Sequence, residues 1–335
     1  MRVGVIGAGA WGRNHVRTLA GMPEVELAGV CDLSPAVRER LGRQYPGVYL
    51  TDSPAALLQR VEAIVVASTA RTHAELGRAA VAAGVPALIE KPFALTVADA
   101  EGLAEAAAAL GVPLLAGHLL EYHPVVEQLR GLVADGSLGQ LYYLYSQRVN
   151  LGQVRPDENA LWSFGPHDVS MALFLLGDQP RSVAALGRSY LQPGIEDVVF
   201  LTMVFDSGVV AHAHMSWLDP HKVRRLTVVG SRQMAVFDDM QPREKLRIYD
   251  KGVDRPPEYR SWGESLAVRE GDIYIPRISN AEPLAVELKH FVQVVRGEAT
   301  PRADAADGVR VVRVLDAASR SLAQGGVPVE VGGTG

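Results

Sequence analysis

VGVIGAGAWGRNH, running from Val3 to His15, sets a short apolar run with β-branched residues against three glycines and the start of an amphipathic segment. Val3 to Ile6 is long enough for a buried strand, and Gly7, Gly9 and Gly12 follow it as G-x-G-x-x-G. Each glycine has its own duty in a dinucleotide-binding turn. Gly7 permits the tight turn off the strand, Gly9 carries no Cβ to obstruct a pyrophosphate, and Gly12 lets the next helix sit close on the sheet. That helix would point its free N–H groups and positive dipole end at the phosphates, with Ala10 and Trp11 completing the loop. A second strand, Val25 to Cys31, then runs into Asp32, twenty residues beyond Gly12. A carboxylate there accepts hydrogen bonds from an adenosine ribose and repels a 2′-phosphate, so the expected cofactor is NAD, with NADP disfavoured.

The 335 residues, 48% of them hydrophobic, suffice for two domains with sizeable cores. A net charge of −5, with no dense Lys/Arg tract, argues against nucleic acid and anionic membranes as partners. No apolar run approaches the roughly 18 residues that span a bilayer. A strand beginning at residue 3 leaves no room for a signal peptide, and one cysteine, Cys31, allows no internal disulfide. Both point to the cytoplasm. Cys31 reads as a small buried residue, since no catalytic His–Asp set accompanies it.

Strand and helix alternate through the first 120 residues. Ser34-Pro35, Ser53-Pro54 and Thr96 with Asp99 are helix-start signals, and Thr72-His73-Ala74-Glu75 has the form of a capping box. Val48–Leu50, Ala63–Ala67, Val85–Ile89 and Pro113–Ala116 are the remaining strand candidates. Such repeated βα units predict a doubly wound parallel sheet with helices on both faces. After a helix at Pro124–Ala134 the pattern changes to long alternating strands at 141–149, 183–190, 198–205, 209–217, 224–229 and 234–237. One helix, Pro166–Leu176, interrupts them, and Asp206-Ser207-Gly208 makes a hairpin turn. Helices at Pro283–Val295 and Ala305–Leu322 close the chain. The expected organisation is an NAD-binding domain over 1–120 and an α+β domain over 121–335 with a large open, mostly antiparallel sheet for substrate binding and oligomerisation.

Ligands of a doubly wound sheet bind beyond the carboxyl ends of its strands. Three groups lie there: Ser68-Thr69 with His73, the turn Glu90-Lys91-Pro92, and the exit Gly117-His118. A lysine fixed by a following proline beside an oxidised nicotinamide would be partly desolvated and close to positive charge. Both effects lower its pKa towards a useful acid/base range.

VGVIGAGAWG, the CD pair ending the second strand, STARTH, IEKPFALT and GPHDVSMALFLLG together resemble the glucose–fructose oxidoreductase, inositol dehydrogenase and MocA family. The resemblance runs along essentially the whole chain, with the EKP tripeptide its most specific mark. It implies a Rossmann domain followed by an α/β domain whose open sheet often forms an oligomer interface, here a homo-oligomer (dimer or tetramer). It also implies hydride transfer between NAD(P) and a hydroxyl-bearing carbon of a sugar or cyclitol. By that resemblance Lys91 hydrogen-bonds the reacting hydroxyl and His167 takes up its proton. The dinucleotide lies among Gly7, Gly9, Ala10, Trp11, Gly12, Asp32, Ser68, Thr69, His73, Glu90, Lys91 and Pro92. Many members carry an aspartate four residues before the histidine; this chain has Ser163, and Asp168 cannot replace it because adjacent helical side chains diverge.

The segment from Tyr145 to Leu176 is similar to members acting on nucleotide-activated amino sugars, among them UDP-N-acetylglucosamine 3-dehydrogenases. His118, Tyr122, Arg148, Asn150, Arg155, Asn159, Trp162 and His167 are the expected substrate residues, arginine suiting a diphosphate through its planar fork. Two other readings stay open: a dehydrogenase of a free polyol or sugar, and a protein that binds NAD as a sensor. His212 and His214 share a strand face but lack a third ligand, so packing is expected and no metal. Glu287 and His290 stand one turn apart as a local pair.

Overall fold

Short runs of Val, Ile, Leu and Ala form the strands β1 (Arg2–Ile6), β2 (Glu26–Cys31), β3 (Tyr49–Thr51), β4 (Ala63–Val66), β5 (Ala87–Glu90) and β6 (Leu114–Gly117). They pair in the order β3-β2-β1-β4-β5-β6, all parallel, so the winding reverses between β1 and β4. Ligand crevices of such sheets open at that reversal, beyond the strands' carboxyl ends. Helices α1 (Gly12–Ala20), α2 (Pro35–Gln44), α3 (Pro54–Leu58), α4 (His73–Ala82) and α5 (Val97–Leu110) are the connections. Ser34, Ser53 and Thr96 cap α2, α3 and α5 through their side chains. Thr72 does not cap α4. A 3₁₀ turn over Ala70–Thr72 leads into that helix, and the Thr72 hydroxyl turns back to the Thr69 carbonyl and the Ser68 hydroxyl. The expected capping box is therefore absent.

In this computed structural model residues 1–152, 154–254 and 267–332 are described, and they divide into two units: Met1–Tyr122 with Ala281–Arg313, and His123–Asn280 with the chain from Val314. The second segment of the first unit departs from the expected boundary at residue 120. Its helix α8, over Pro283–Val295, places Leu284, Leu288, Phe291 and Val294 in one core with Val3, Val5, Val16 and Leu115. Burying each such side chain is worth about 1.5–3 kcal/mol, which explains why a helix so distant in sequence joins this unit.

The second unit begins with α6 (Pro124–Ala134) and β7 (Leu141–Val149), followed by α7 (Ala160–Leu176) and β8 (Pro180–Arg188). Strands β9 (Val198–Phe205), β10 (Val210–Ser216), β11 (Val223–Gly230), β12 (Met234–Asp238), β13 (Leu246–Asp254) and β14 (Ala267–Tyr274) succeed them. Helix α9 (Ala305–Ala323) is shared between the units, and β15 (Val329–Glu330) is the last strand. The sheet runs β14-β13-β12-β11-β7-β10-β9-β8-β15, antiparallel except where β7 pairs with β10. Helix α7 covers one face, where Leu144, Ala211, Ala213 and Met215 are buried. On the other, Tyr143, Tyr145 and Phe200 are exposed, and Phe200 stacks on His214 with ring centroids 4.5 Å apart.

Helix α7 starts six residues before the expected Pro166. Asn159 caps it by accepting from the Trp162 N–H at 3.1 Å, and Pro166 lies inside. The proline removes one helical N–H there. Cys31 is buried, and burial followed by the charge of Asp32 pushes its thiol up to about 11, which fits a packing role. Among the described residues no helix is long and apolar enough to cross a membrane.

Candidate active site

Gly7 has φ +87°, and a Cβ on it would press on the Ser68 backbone at 2.6 Å. A Cβ on Gly12 would collide with the Gly7 carbonyl, so this glycine brings α1 down onto the turn. Gly9 differs: a Cβ there would meet nothing within 4 Å. The open approach lies on the outer side of the loop, where a pyrophosphate must come close to backbone. No side chain caps the N-terminus of α1; its Arg13 and Asn14 N–H groups donate to the Gly9 and Trp11 carbonyls at 3.3 and 2.8 Å, so what the helix turns towards an incoming anion is its positive dipole end.

Asp32 closes the loop from the second strand. Its Oδ2 accepts from the Ala8 N–H at 2.8 Å and its Oδ1 from the Ser34 N–H at 2.9 Å. Each carboxylate oxygen keeps a lone pair for a ribose hydroxyl. The nearby Arg38 is committed to the Asp32 and Leu33 carbonyls and to Asp52 at 3.3 Å, and Arg40 Nη2 donates to the Ala8 carbonyl at 3.4 Å. These residues fit NAD.

Beyond β4 and β5 the remaining expected cofactor residues meet one another. Ser68 Oγ bonds Thr72 Oγ1 at 2.7 Å. His73 is buried with Nδ1 2.8 Å from the Pro92 carbonyl and Nε2 3.2 Å from the Ser68 carbonyl. Burial lowers its pKa despite those carbonyls. A neutral ring donates once, and the shorter contact, to Pro92, takes the proton. His73 thus clamps two turns together and offers no nitrogen to a cofactor. Thr69 lies between those turns, its carbonyl accepting from Thr72.

Glu90 is the hub of this end of the unit. Its Oε1 accepts from the Trp11 indole N–H and lies 2.7 Å from His15 Nε2, while Oε2 accepts from the Lys91 N–H at 3.1 Å. Burial opposes its ionisation, but the hydrogen bond and charge of His15, then Lys91 and Trp11, outweigh that and hold the carboxyl below the usual range. One carboxylate ties the glycine loop, α1 and the lysine turn together. Lys91 itself is half-buried, and the bond to Pro92 is cis.

Two expected substrate residues of this unit are buried. His118 is 2% exposed, with Nδ1 3.2 Å from Glu121 Oε1. Tyr122 is 1% exposed and packs against His290 and the Arg302 guanidinium. Burial and the charges of Glu287 and Glu121 raise its pKa. Nor do Glu287 and His290 pair: His290 Nε2 accepts from the Arg302 N–H at 3.1 Å, and both carboxyl oxygens of the fully buried Glu287 lack a hydrogen-bond partner among the described residues.

Burial, then the charges of Glu90 and Glu121, raises the pKa of Glu287 well above the ordinary value. The folded state therefore holds a proton that the unfolded chain releases. Its stabilising effect is fully present below the unfolded pKa, near 4.3, and is lost as pH rises through the folded one. Glu287→Gln removes that loss. Its Tm should match wild type at pH 4 and exceed it at pH 8, by about 2–4 °C per kcal/mol recovered. Parallel melting curves at every pH would show that Glu287 ionises in the fold.

In the second unit the structure redistributes the expected substrate residues. Arg148 Nε and Nη2 bond the two oxygens of buried Asp168 at 2.7 and 3.3 Å, which uses the fork assigned to a diphosphate. Asn159 spends its oxygen on the α7 cap and its nitrogen on Glu196 at 2.7 Å, and Trp162 Nε1 donates to Ser319 at 3.0 Å. Asn150 and Arg155 do line a cavity of about 460 Å³, with Ser163, Phe164, Lys222 and Arg224. Ser163 lies one helical turn before His167, which is half-buried on α7. Lys222 and Arg224 escaped the sequence reading; their spacing at the start of an alternating strand was the available signal. His212 Nδ1 bonds Thr202 at 3.0 Å, and among the described residues no three His, Cys, Asp or Glu side chains could hold a metal.

Comparison with known proteins gives a family, two relatives and one solved structure. The family model described as "Oxidoreductase family, NAD-binding Rossmann fold" matches residues 1–118, and "GFO/IDH/MocA C-terminal domain" matches 126–236. UDP-N-acetylglucosamine 3-dehydrogenase of Acidithiobacillus ferrooxidans is 30% identical over 327 residues, 95% of each chain. Inositol 2-dehydrogenase 2 of Saccharopolyspora erythraea is 32% identical over 219 residues, 63% of this chain and 65% of that one. The crystal structure of GenD2 from gentamicin A biosynthesis, in complex with NAD, superimposes with TM-score 0.83 at 25% identity, covering 99% of this chain and 97% of that one.

Proposed function

The chain belongs to the GFO/IDH/MocA family of NAD-binding oxidoreductases, dehydrogenases of CH–OH groups, and on that premise we propose that it oxidises the 3-hydroxyl of a UDP-amino sugar such as UDP-N-acetylglucosamine. The observation that carries this reading is the likeness to the Acidithiobacillus enzyme along 95% of both chains. The cationic cavity of the second unit supports it, because a nucleotide sugar is anionic.

Bound NAD supplies the hydride acceptor. The glycine loop receives its pyrophosphate and Asp32 its adenosine ribose. Lys91 Nζ hydrogen-bonds the reacting hydroxyl, and the His167 imidazole takes the hydroxyl proton as the C–H hydride leaves, so that the carbon becomes a ketone. With serine at position 163, no carboxylate stands one turn before His167 to hold its imidazolium, so Lys91 carries more of the proton transfer. Exposed Tyr143, Tyr145 and Phe200 support homo-oligomer formation through the open sheet, and the lone buried Cys31 is in keeping with a reducing cytoplasm.

A free polyol or sugar of the inositol or glucose type is the second reading, favoured by the 32% identity to inositol 2-dehydrogenase 2. Initial rates of NADH formation, with an aminotransferase to remove the ketone, separate the two. The proposal expects kcat/KM for UDP-N-acetylglucosamine to exceed that for myo-inositol or glucose by about 100-fold or more, the equivalent of about 2.7 kcal/mol. Faster oxidation of a free polyol would transfer the chain to the second reading.

A further inference from the structure

Arg224 on β11 stands directly opposite Arg148 on β7 in the antiparallel register. Like charges so placed repel. Asp168 neutralises Arg148, but among the described residues no carboxylate lies within ion-pair distance of Arg224. Arg224 is held by neutral acceptors: Nη1 donates to the Val149 and Val223 carbonyls at 2.9 and 2.8 Å, and Nη2 to Asn150 Oδ1 at 2.6 Å. Its guanidinium also lies over the Phe164 ring, 5.2 Å from the centroid.

Three of five N–H donors are thereby used, which leaves the Nε–H and one Nη2–H without an acceptor among the described residues. Burial, then the charge of Arg148, pushes the Arg224 pKa down to about 10, so the group is still charged at neutral pH. Two residues earlier, exposed Lys222 adds a second cation at the same cavity and makes no ion pair among the described residues. Arg155 is less available, being paired with Glu158 at 3.0 Å. Asp168 and Asp239 act on Arg224 only from beyond ion-pair distance, and a half-buried, pre-oriented guanidinium without an ion-pair partner among the described residues is costly unless an anion answers it.

We infer that Arg224 and Lys222 receive an oxyanion of the substrate, a diphosphate or a carboxylate, in the cavity beside Ser163 and Asn150. The inference rests on the dehydrogenase reading above and adds the residues that take the substrate's charge. Ser163, one turn from His167, then lies between the anion-holding end of the cavity and the residue assigned the proton.

Calorimetric titration of the full chain, saturated with NADH so that the dinucleotide site is closed to the probes, tests this with inorganic pyrophosphate, UDP and D-glucuronate. Wild type should bind at least one of them. Pyrophosphate and UDP alone would assign a diphosphate, glucuronate alone a carboxylate. Arg224→Met should weaken binding about 100-fold, through two lost charge-assisted hydrogen bonds. Lys222→Met, whose lysine side chain makes no hydrogen bond or ion pair among the described residues, should weaken it about 3- to 10-fold and reduce its salt dependence. Should Arg224→Met fail to fold, Lys222→Met decides alone. The assignment is overturned if no probe binds wild type, or if Lys222→Met binds as wild type does. Anion binding that depends on Arg224, in a protein that leaves UDP-N-acetylglucosamine unoxidised, would discard the proposed substrate and keep this site.

Discussion

Lys91→Met should lower turnover by about 10²–10⁴-fold, the usual contribution of a positioned acid/base group, while NAD binding stays within about threefold of wild type. The Lys91 N–H is held by Glu90 Oε2, and the Pro92 carbonyl by His73 Nδ1. Pro92 and Phe93 are buried, so the turn keeps its path whatever side chain stands at 91. Methionine keeps nearly the length and apolar stem of lysine and removes the ammonium with its charge, its donors and its proton. Stopped-flow measurement of the first turnover separates chemistry from product release. Turnover near the wild-type rate would refute the role given to Lys91 and leave His167 to act without it.

Gly9→Val should weaken NAD binding by at least about 100-fold, or about 2.7 kcal/mol, and leave the melting temperature within about 2 °C of wild type. The reason lies in the space around each glycine. A Cβ at Gly9 meets no protein atom within 4 Å, so the fold does not register it, whereas the pyrophosphate must pass there. Gly12→Ala is the opposite case, since its Cβ would collide with the Gly7 carbonyl and separate α1 from the turn. It should lose stability and NAD binding together. Fluorescence titration of NADH, paired with thermal melts, reads both variants. A Gly9→Val protein that binds NADH normally would remove the glycine loop from the cofactor site.

Much of this molecule was legible because its local signals agree with its tertiary structure. The glycine turn, the Ser-Pro helix starts and the short apolar strands specify the parallel sheet from local chemistry alone. Three strands of the second sheet escaped: β15 has only two residues, and β13 and β14 carry charged residues through most of their length. Pro166 misled because a proline just inside a helix start is commoner than one seven residues in, and the true cap, Asn159, stood before a mostly apolar run that Ser163 interrupts.

The site was legible in its residue types and less so in their employment. Asp32 and Gly9 needed no knowledge of distant contacts. His73 and Arg148 did, because a polar side chain near a strand end looks the same whether it faces a ligand or satisfies a buried carbonyl or carboxylate. Arg224 went unnoticed for the converse reason. Its meaning arises only when β11 pairs with β7 and sets it against an arginine that already has its counterion.

UDP-N-acetylglucosamine deuterated at C3 tests the central claim most directly. Hydride transfer from that carbon predicts deuterium at the nicotinamide ring of the NADH formed, observable by mass spectrometry, together with a slower first turnover. Deuterium that stays in the sugar product, or appears in solvent water, would contradict it.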